Sequence, residues 1–134
     1  KKNKKYYLFF SKKNSKKIKI YFSKKLYGNY KEVNNISNDN SGFRMGGHII
    51  KIKNEEFRIS QNNSDLYGNG IKINKIKKLD PNSYKEELWK TLKFNNFYGP
   101  HTISFSRNSL FFDYYFLKFD FFAFFKKLKS KIIS

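Results

Sequence analysis

The chain is 134 residues long, with 29 Lys and Arg against 10 Asp and Glu, a net charge of +19, 20% aromatic residues and no cysteine. That length suits one ordinary domain, and the missing thiols exclude a disulfide framework, a thiolate metal site and cysteine chemistry. With 16 Phe and 10 Tyr a core can be built, so whole-chain disorder is not expected, and no run of about 18 charge-free apolar residues exists to span a bilayer.

The first residue is Lys1, and no charged, apolar, small-residue leader follows, so the chain is expected either to have lost its start or to have been cut from something longer. Residues 1–5 read as a basic, solvated, frayed end. Tyr6-Tyr7-Leu8-Phe9-Phe10 is an aromatic run of strand length, and Ile18-Lys19-Ile20-Tyr21-Phe22 follows a polar turn, so the pair reads as a hairpin. Leu26-Tyr27-Gly28-Asn29-Tyr30 turns, and residues 34–41 form a loop of Asn, Asp and Ser.

A second series runs from Gly46 to Lys53, turns at Asn54 and returns through residues 55–61. After a loop over 62–70, residues 71–79 alternate at period two almost without fault. Pro81 breaks the run, since proline cannot donate to a ladder. Residues 84–92 are ambiguous by pattern, with strand favoured by the neighbours. Residues 101–105 and 110–114 make a last hairpin around Arg107-Asn108. Strands at this spacing predict an antiparallel all-β protein, and the four between 46 and 92 suit a propeller blade, although a sandwich fits the periodicity equally.

The tail, 116–134, changes period. After a capping Asp120, the residues Phe121, Phe124, Phe125, Leu128 and Ile132 recur at helical spacing, with Lys126, Lys127, Lys129 and Lys131 elsewhere around the helix. This predicts a short basic amphipathic helix. Its Phe face suits an anionic membrane surface or, equally, ordinary packing on the sheet.

The charge itself says less than its size suggests. Arginine occurs only at 44, 58 and 107, so Lys supplies nearly all of the positive charge. Nucleic-acid readers favour Arg for forked contacts. Lys, Asn, Ile, Phe and Tyr are inflated together, as an A+T-rich coding sequence would produce. Nucleic acid is therefore not the expected partner, and each arginine becomes informative.

Several spaced pieces resemble a known family. They are Tyr7-Leu8-Phe9-Phe10, the stretch Ile20 to Tyr30, Arg44-Met45-Gly46-Gly47, Phe57-Arg58-Ile59-Ser60-Gln61, Tyr67-Gly68-Asn69-Gly70-Ile71, Tyr84-Lys85-Glu86-Glu87 and Gly99-Pro100-His101-Thr102-Ile103-Ser104, closing on Asp113. Together they resemble the N-terminal domain of glucosamine inositolphosphorylceramide transferase and its bacterial relatives. The resemblance implies a five-bladed β-propeller of the glycoside-hydrolase type, of which residues 6–115 would be about two C-terminal blades. The family pattern is Arg, two small residues and Gly; then aromatic-Arg-Pro-Ala-Gln, Tyr-Gly and Gly-x-His-Thr. Here Ile59-Ser60 stands where Pro-Ala is usual, and Asn62 where an acid commonly follows.

The candidate ligand-binding residues are Arg44, Arg58, Gln61, Tyr67, His101, Thr102 and Asp113. Arg and Gln suit forked binding of sugar hydroxyls, carboxylates or phosphate; the structural alternative is that the arginines pair with Glu55, Glu56 or Asp65. His101 can bond a ligand or orient a carboxylate, yet a lone His is commonly structural, and His48 reads so. Tyr67, Tyr98, Trp89 and Phe97 offer rings for sugar stacking. Glu55-Glu56 and Glu86-Glu87 read as turn or strand-surface charges, and no two carboxylates declare themselves a glycosidase pair. No protein-built metal site and no cofactor is expected.

The expected function is a carbohydrate- or glycoconjugate-binding module of a protein that assembles surface polysaccharide or glycolipid. Its partners would be a sugar, nucleotide-sugar or glycolipid, the rest of the propeller, and a transferase domain in the parent chain. It would sit in the cytoplasm or at the inner face of the membrane. Two alternatives stand beside it: a glycoside-hydrolase-like enzyme whose acids lie partly outside this chain, and a basic surface for anionic lipid or nucleic acid.

Overall fold

A computed structural model describes residues 2–12, 15–38, 42–64, 69–94, 98–106 and 108–115. The elements are β1 (Tyr6–Ser11), β2 (Ile18–Ser23), β3 (Lys31–Glu32), β4 (Asn35–Ser37), β5 (Ile50–Ile52), β6 (Glu55–Gln61), β7 (Ile71–Leu79), β8 (Ser83–Leu92), β9 (Ile103–Ser106) and β10 (Ser109–Phe112). The architecture is all-β. The tail helix with Phe121, Phe124, Phe125, Lys126, Lys127 and Lys129 lies outside the described residues, as does Tyr67.

Three sheets form: β1-β2-β3, β4-β8-β7-β6-β5 and β10-β9. The run β5 to β8 is a four-stranded antiparallel meander, as the return strand at 55–61 and the alternation at 71–79 predict. Its first turn, Lys53-Asn54, has both residues at positive φ (46° and 67°), which is what a two-residue type I′ hairpin requires. Residues 2–5, read as a frayed end, close a similar turn: Lys2 and Lys5 exchange two backbone hydrogen bonds of 2.9 Å.

The expectation of a purely antiparallel protein needs one correction. Residues 35–37, read as loop, form β4 and join β8 in parallel, so the five-stranded sheet is mixed. Only Ile36 of the three is sheltered, packed against the first core cluster; three residues with one apolar member carry no period-two signal.

The ambiguity of 84–92 also has a physical cause. Two register shifts interrupt the β7–β8 ladder, between Ile73 and Asn74 and between Ile76 and Lys78. The partners step from Lys90 to Leu88, so Trp89 is an extra residue, and its ring turns onto Phe57 at 5.1 Å between centroids. A bulge of this kind breaks alternation in sequence without ending the strand.

Strand alternation gives the central sheet two faces. Phe57, Ile59, Ile71 and Ile73 point one way and pack with Ile103 of β9. Ile76, Leu79 and Tyr84 pack the other way, against Ile18 and Ile20 of β2 and against Val33. The meander is therefore covered on both faces by neighbouring sheets, which is why β6 and β7 carry continuous buried runs instead of an inside–outside alternation.

Candidate functional site

On β6, Arg58 lies between two core residues and so faces away from the Phe57–Ile59 cluster. Its guanidinium is fully buried and forks onto Glu86 of β8, Nε to Oε2 at 2.7 Å and Nη2 to Oε1 at 2.5 Å. Nη2 also donates to the Gly42 carbonyl at 2.7 Å, and Nη1 approaches Met45 Sδ at 3.8 Å. The Tyr84 hydroxyl donates to the same carboxylate. Burial works against the arginine's charge, but the hydrogen bonds and charge of Glu86 outweigh it and hold its pKa above the ordinary value. Burial, then the Glu86 charge, pushes the Tyr84 phenol up, so it stays a donor.

Two expectations change here. Glu86 is not a strand-surface charge; it is the buried partner of Arg58. Nor does Arg58 pair with Glu55 or Glu56, which bind Lys75 and Lys2. A forked pair inside the sheet needs both charges, because either one alone would be buried uncompensated.

The pair positions what lies next to it. Gly42 and Met45, both touched by Arg58, flank Arg44. The segment 44–46 runs antiparallel along the end of β6: Gln61 N–H donates to the Arg44 carbonyl at 2.9 Å, and Gly46 N–H to Ile59 at 3.0 Å. Met45 is bridged to Ser60, so Arg44 and Gln61 are direct cross-strand neighbours on one face of the sheet. Both are half-buried. Gln61 Oε1 is buried and accepts no hydrogen bond among the described residues.

Gly46 and Gly47 are set by close approach. Ile103 N–H donates to the Gly46 carbonyl at 2.7 Å, drawing β9 onto this segment. A Cβ on Gly46 would sit 2.7 Å from Ile71 Cδ1 and 3.1 Å from the His101 carbonyl oxygen. One on Gly47 would collide with the Ile103 carbonyl oxygen itself. The Arg-Met-Gly-Gly run is thus a docking seam between β6 and the chain entering β9.

That entering chain carries His101 and Thr102. Both backbone N–H groups donate to Asp113 Oδ1 at 2.7 Å, and His101 Nδ1 lies 3.3 Å from Oδ2. The His101 ring stacks on Tyr115 at 5.6 Å, and Tyr115 on Tyr98 at 5.1 Å. Partial burial alone would raise the Asp113 pKa, but the N–H groups of Thr102 and His101 and the nearby imidazole outweigh it, so the carboxyl is held below its ordinary value.

Because the folded Asp113 binds its proton less readily than the unfolded one, its contribution is complete above the ordinary aspartate value, about 3.9, and fades as pH falls through the lower folded value. The expected result is that the His101 and Thr102 amide resonances move together in acid and that Asp113→Asn abolishes this titration. Amides that titrate alike in both proteins would contradict the lock.

The structure thus brings together Arg44 with Gln61, and His101 and Thr102 with Asp113, across the Gly46 seam; Arg58 stands behind them, buried. Asn62, where the family pattern has an acid, is buried and structures its loop, accepting from Ser64 N–H at 3.3 Å and Ser64 Oγ at 2.9 Å. Ile59, in place of a proline, supplies a core side chain at 0% exposure within the β6–β7 ladder. His48 lies edge-on to Phe105. Among the described residues, no group of three His, Asp or Glu could hold a metal ion, and no helix is long and apolar enough to cross a membrane.

An all-β chain with mixed sheets, built around a buried arginine and an Arg–Gln strand-end pair, defines the class. The family whose model matches residues 1–98 is described as glucosamine inositolphosphorylceramide transferase 1, N-terminal, and the chain belongs to it. The family's name is that of a transferase of a sugar-bearing sphingolipid, a glycosyltransferase-associated context. The match takes in Arg44, Arg58 and Gln61 and ends before His101. No curated protein and no solved structure matches the chain.

Proposed function

We propose that the chain is a carbohydrate- or glycoconjugate-binding module of the β-propeller type, and that a sugar or glycolipid headgroup binds at the Arg44–Gln61 strand end. The four-stranded meander sandwiched between two further sheets supports the blade reading, since propeller blades stack face to face in this way. One observation carries the site: the cross-strand Arg44–Gln61 pair, with Gln61 Oε1 buried and accepting no bond from the described residues. A vicinal hydroxyl pair on a sugar supplies the donor that this oxygen takes, and the arginine fork accepts no substitute of lysine geometry. The stacked Tyr98, Tyr115 and His101 rings give the neighbouring wall an apolar and aromatic character suited to a pyranose face.

A hydrolase reading requires two facing carboxylates several ångströms apart with room between them. Each described carboxylate already meets a basic group: Glu86 is buried on Arg58, Asp113 lies beside His101, and Glu32, Glu55, Glu56, Asp80 and Glu87 meet lysines. Binding is therefore the better-supported role.

The test is binding of the full chain to a glycan array and to nucleotide-sugars, beside an Arg44→Ala, Gln61→Ala variant. Losing a charged hydrogen bond at about 1.5–3 kcal/mol, plus the amide, predicts at least a tenfold loss of saturable binding. Binding that survives the variant and fades with salt would sink the site.

A further inference from the structure

The turn between β2 and β3 borders an open surface cavity, which shares no residue with the Arg44–Gln61 seam. Its volume is about 420 Å³, and Phe22, Ser23, Lys24, Lys25, Gly28, Asn29 and Lys31 line it. We propose that it binds a phosphate group, delivered either as free phosphate or as the headgroup of an anionic lipid.

Seven carboxylates fall among the described residues, and all are occupied: by Arg58, by Lys2, Lys19, Lys75, Lys77 and Lys78, and by His101. None reaches this turn. Lys24, Lys25 and Lys31 form no ion pair among the described residues, and no acid lines the cavity. Three exposed lysines line one space with no carboxylate among its lining residues, so their like charges favour the entry of an anion. A Lys-rich chain carries ammonium groups over much of its surface, but three lysines lining one concavity with no acid in it are a different arrangement.

The turn is also preformed. Ser23 is buried, and its Oγ accepts from the Lys25 N–H at 3.2 Å. The Tyr30 hydroxyl donates to the Leu26 carbonyl at 3.1 Å, closing the turn from the other side. Gly28 folds against its start: a Cβ there would lie 2.7 Å from Ser23 Oγ and 3.3 Å from the Lys25 carbonyl oxygen. The lysines therefore stand on a fixed backbone, and less ordering is needed when an anion binds.

The rim adds a second property. Tyr27 is 96% exposed and Leu26 52%, consecutive in the turn and directly after Lys24 and Lys25. An aromatic and an aliphatic side chain beside a cationic cavity are suited to a phosphate standing at an apolar–water boundary. A phosphate group, compact and doubly charged, matches Lys better than a carboxylate does, because Lys acts as a point charge and needs no planar fork.

The experiment uses the full chain with phosphatidylcholine vesicles, plain or doped with phosphatidic acid, and with inorganic phosphate followed by amide NMR. The variant is Lys24→Gln, Lys25→Gln, Lys31→Gln. Its control, Lys16→Gln, Lys85→Gln, Lys90→Gln, removes the same charge from exposed positions outside the cavity. All six positions are exposed, so both proteins keep the wild-type unfolding midpoint. Each cavity lysine is expected to contribute about fivefold and the three about a hundredfold to binding of the doped vesicles, with the control losing far less. Inorganic phosphate that shifts amides 23–31 and displaces the protein from vesicles assigns the site to free phosphate. Doped vesicles that bind while free phosphate shifts nothing assign it to a headgroup. Equal losses in the two variants, or tighter binding to an oligonucleotide than to either probe, overturn the proposal. A Leu26→Ser, Tyr27→Ser variant that weakens vesicle binding while leaving phosphate shifts intact isolates the rim.

Discussion

Arg58→Ala is expected to destabilise the chain by about 3–5 kcal/mol, and Glu86→Ala by a similar amount. Either change leaves one charge at 0% exposure with no counter-charge, and the arginine change also strips a donor from the Gly42 carbonyl. Against a total stability of about 5–15 kcal/mol for a domain, such a loss leaves part of the population unfolded at room temperature. Urea unfolding of the single variants gives the numbers. The combined variant Arg58→Met, Glu86→Leu, Tyr84→Phe removes both charges and the phenol donor together, and it should recover most of the loss, because no buried charge remains. It should not recover sugar binding, since the tie from Arg58 to Gly42 and Met45 that holds Arg44 is gone. Single variants within 1 kcal/mol of wild type would show that the pair is not sealed from water.

Gly47→Ala carries the second large effect, about 1–3 kcal/mol. The added methyl meets a backbone carbonyl, Ile103, and not the yielding end of a side chain, so relief requires β9 to move. Moving β9 breaks the Ile103-to-Gly46 hydrogen bond of 2.7 Å and uncovers Ile103 from the second core cluster. Hydrogen exchange should therefore quicken at 103–106 and 109–112 while 71–92 stay protected. Uniform exchange across both sheets would mean that the seam does not fasten β9 at all.

How far the sequence carried these conclusions depends on whether a feature is local. Hairpins were legible wherever alternation and a turn residue fell within a few positions, as at Lys53-Asn54 and across 71–79. β4 was not, because its single sheltered residue gains its partner from a strand some fifty positions away. The arginines stand out by their scarcity, yet the partner of Arg58 stands 28 residues on, beyond any local pattern. One signal was available: Tyr84 and Glu86 share a strand face, and an inward tyrosine carries Glu86 inward with it. Likewise Gly46-Gly47 reads in sequence as the opening of a strand series, whereas the structure uses the missing side chains for close packing beneath β9.

The most direct measurement is chemical-shift mapping of a glycan found by the array, titrated into the full chain. A sugar site at the strand end predicts saturating shifts confined to residues around Arg44, Gln61 and 98–102, extending to Asp113 and Tyr115, and absent from the Arg44→Ala, Gln61→Ala variant. Shifts that scatter over the exposed lysines and vanish with salt, or that cluster on another face of the sheets, would contradict it.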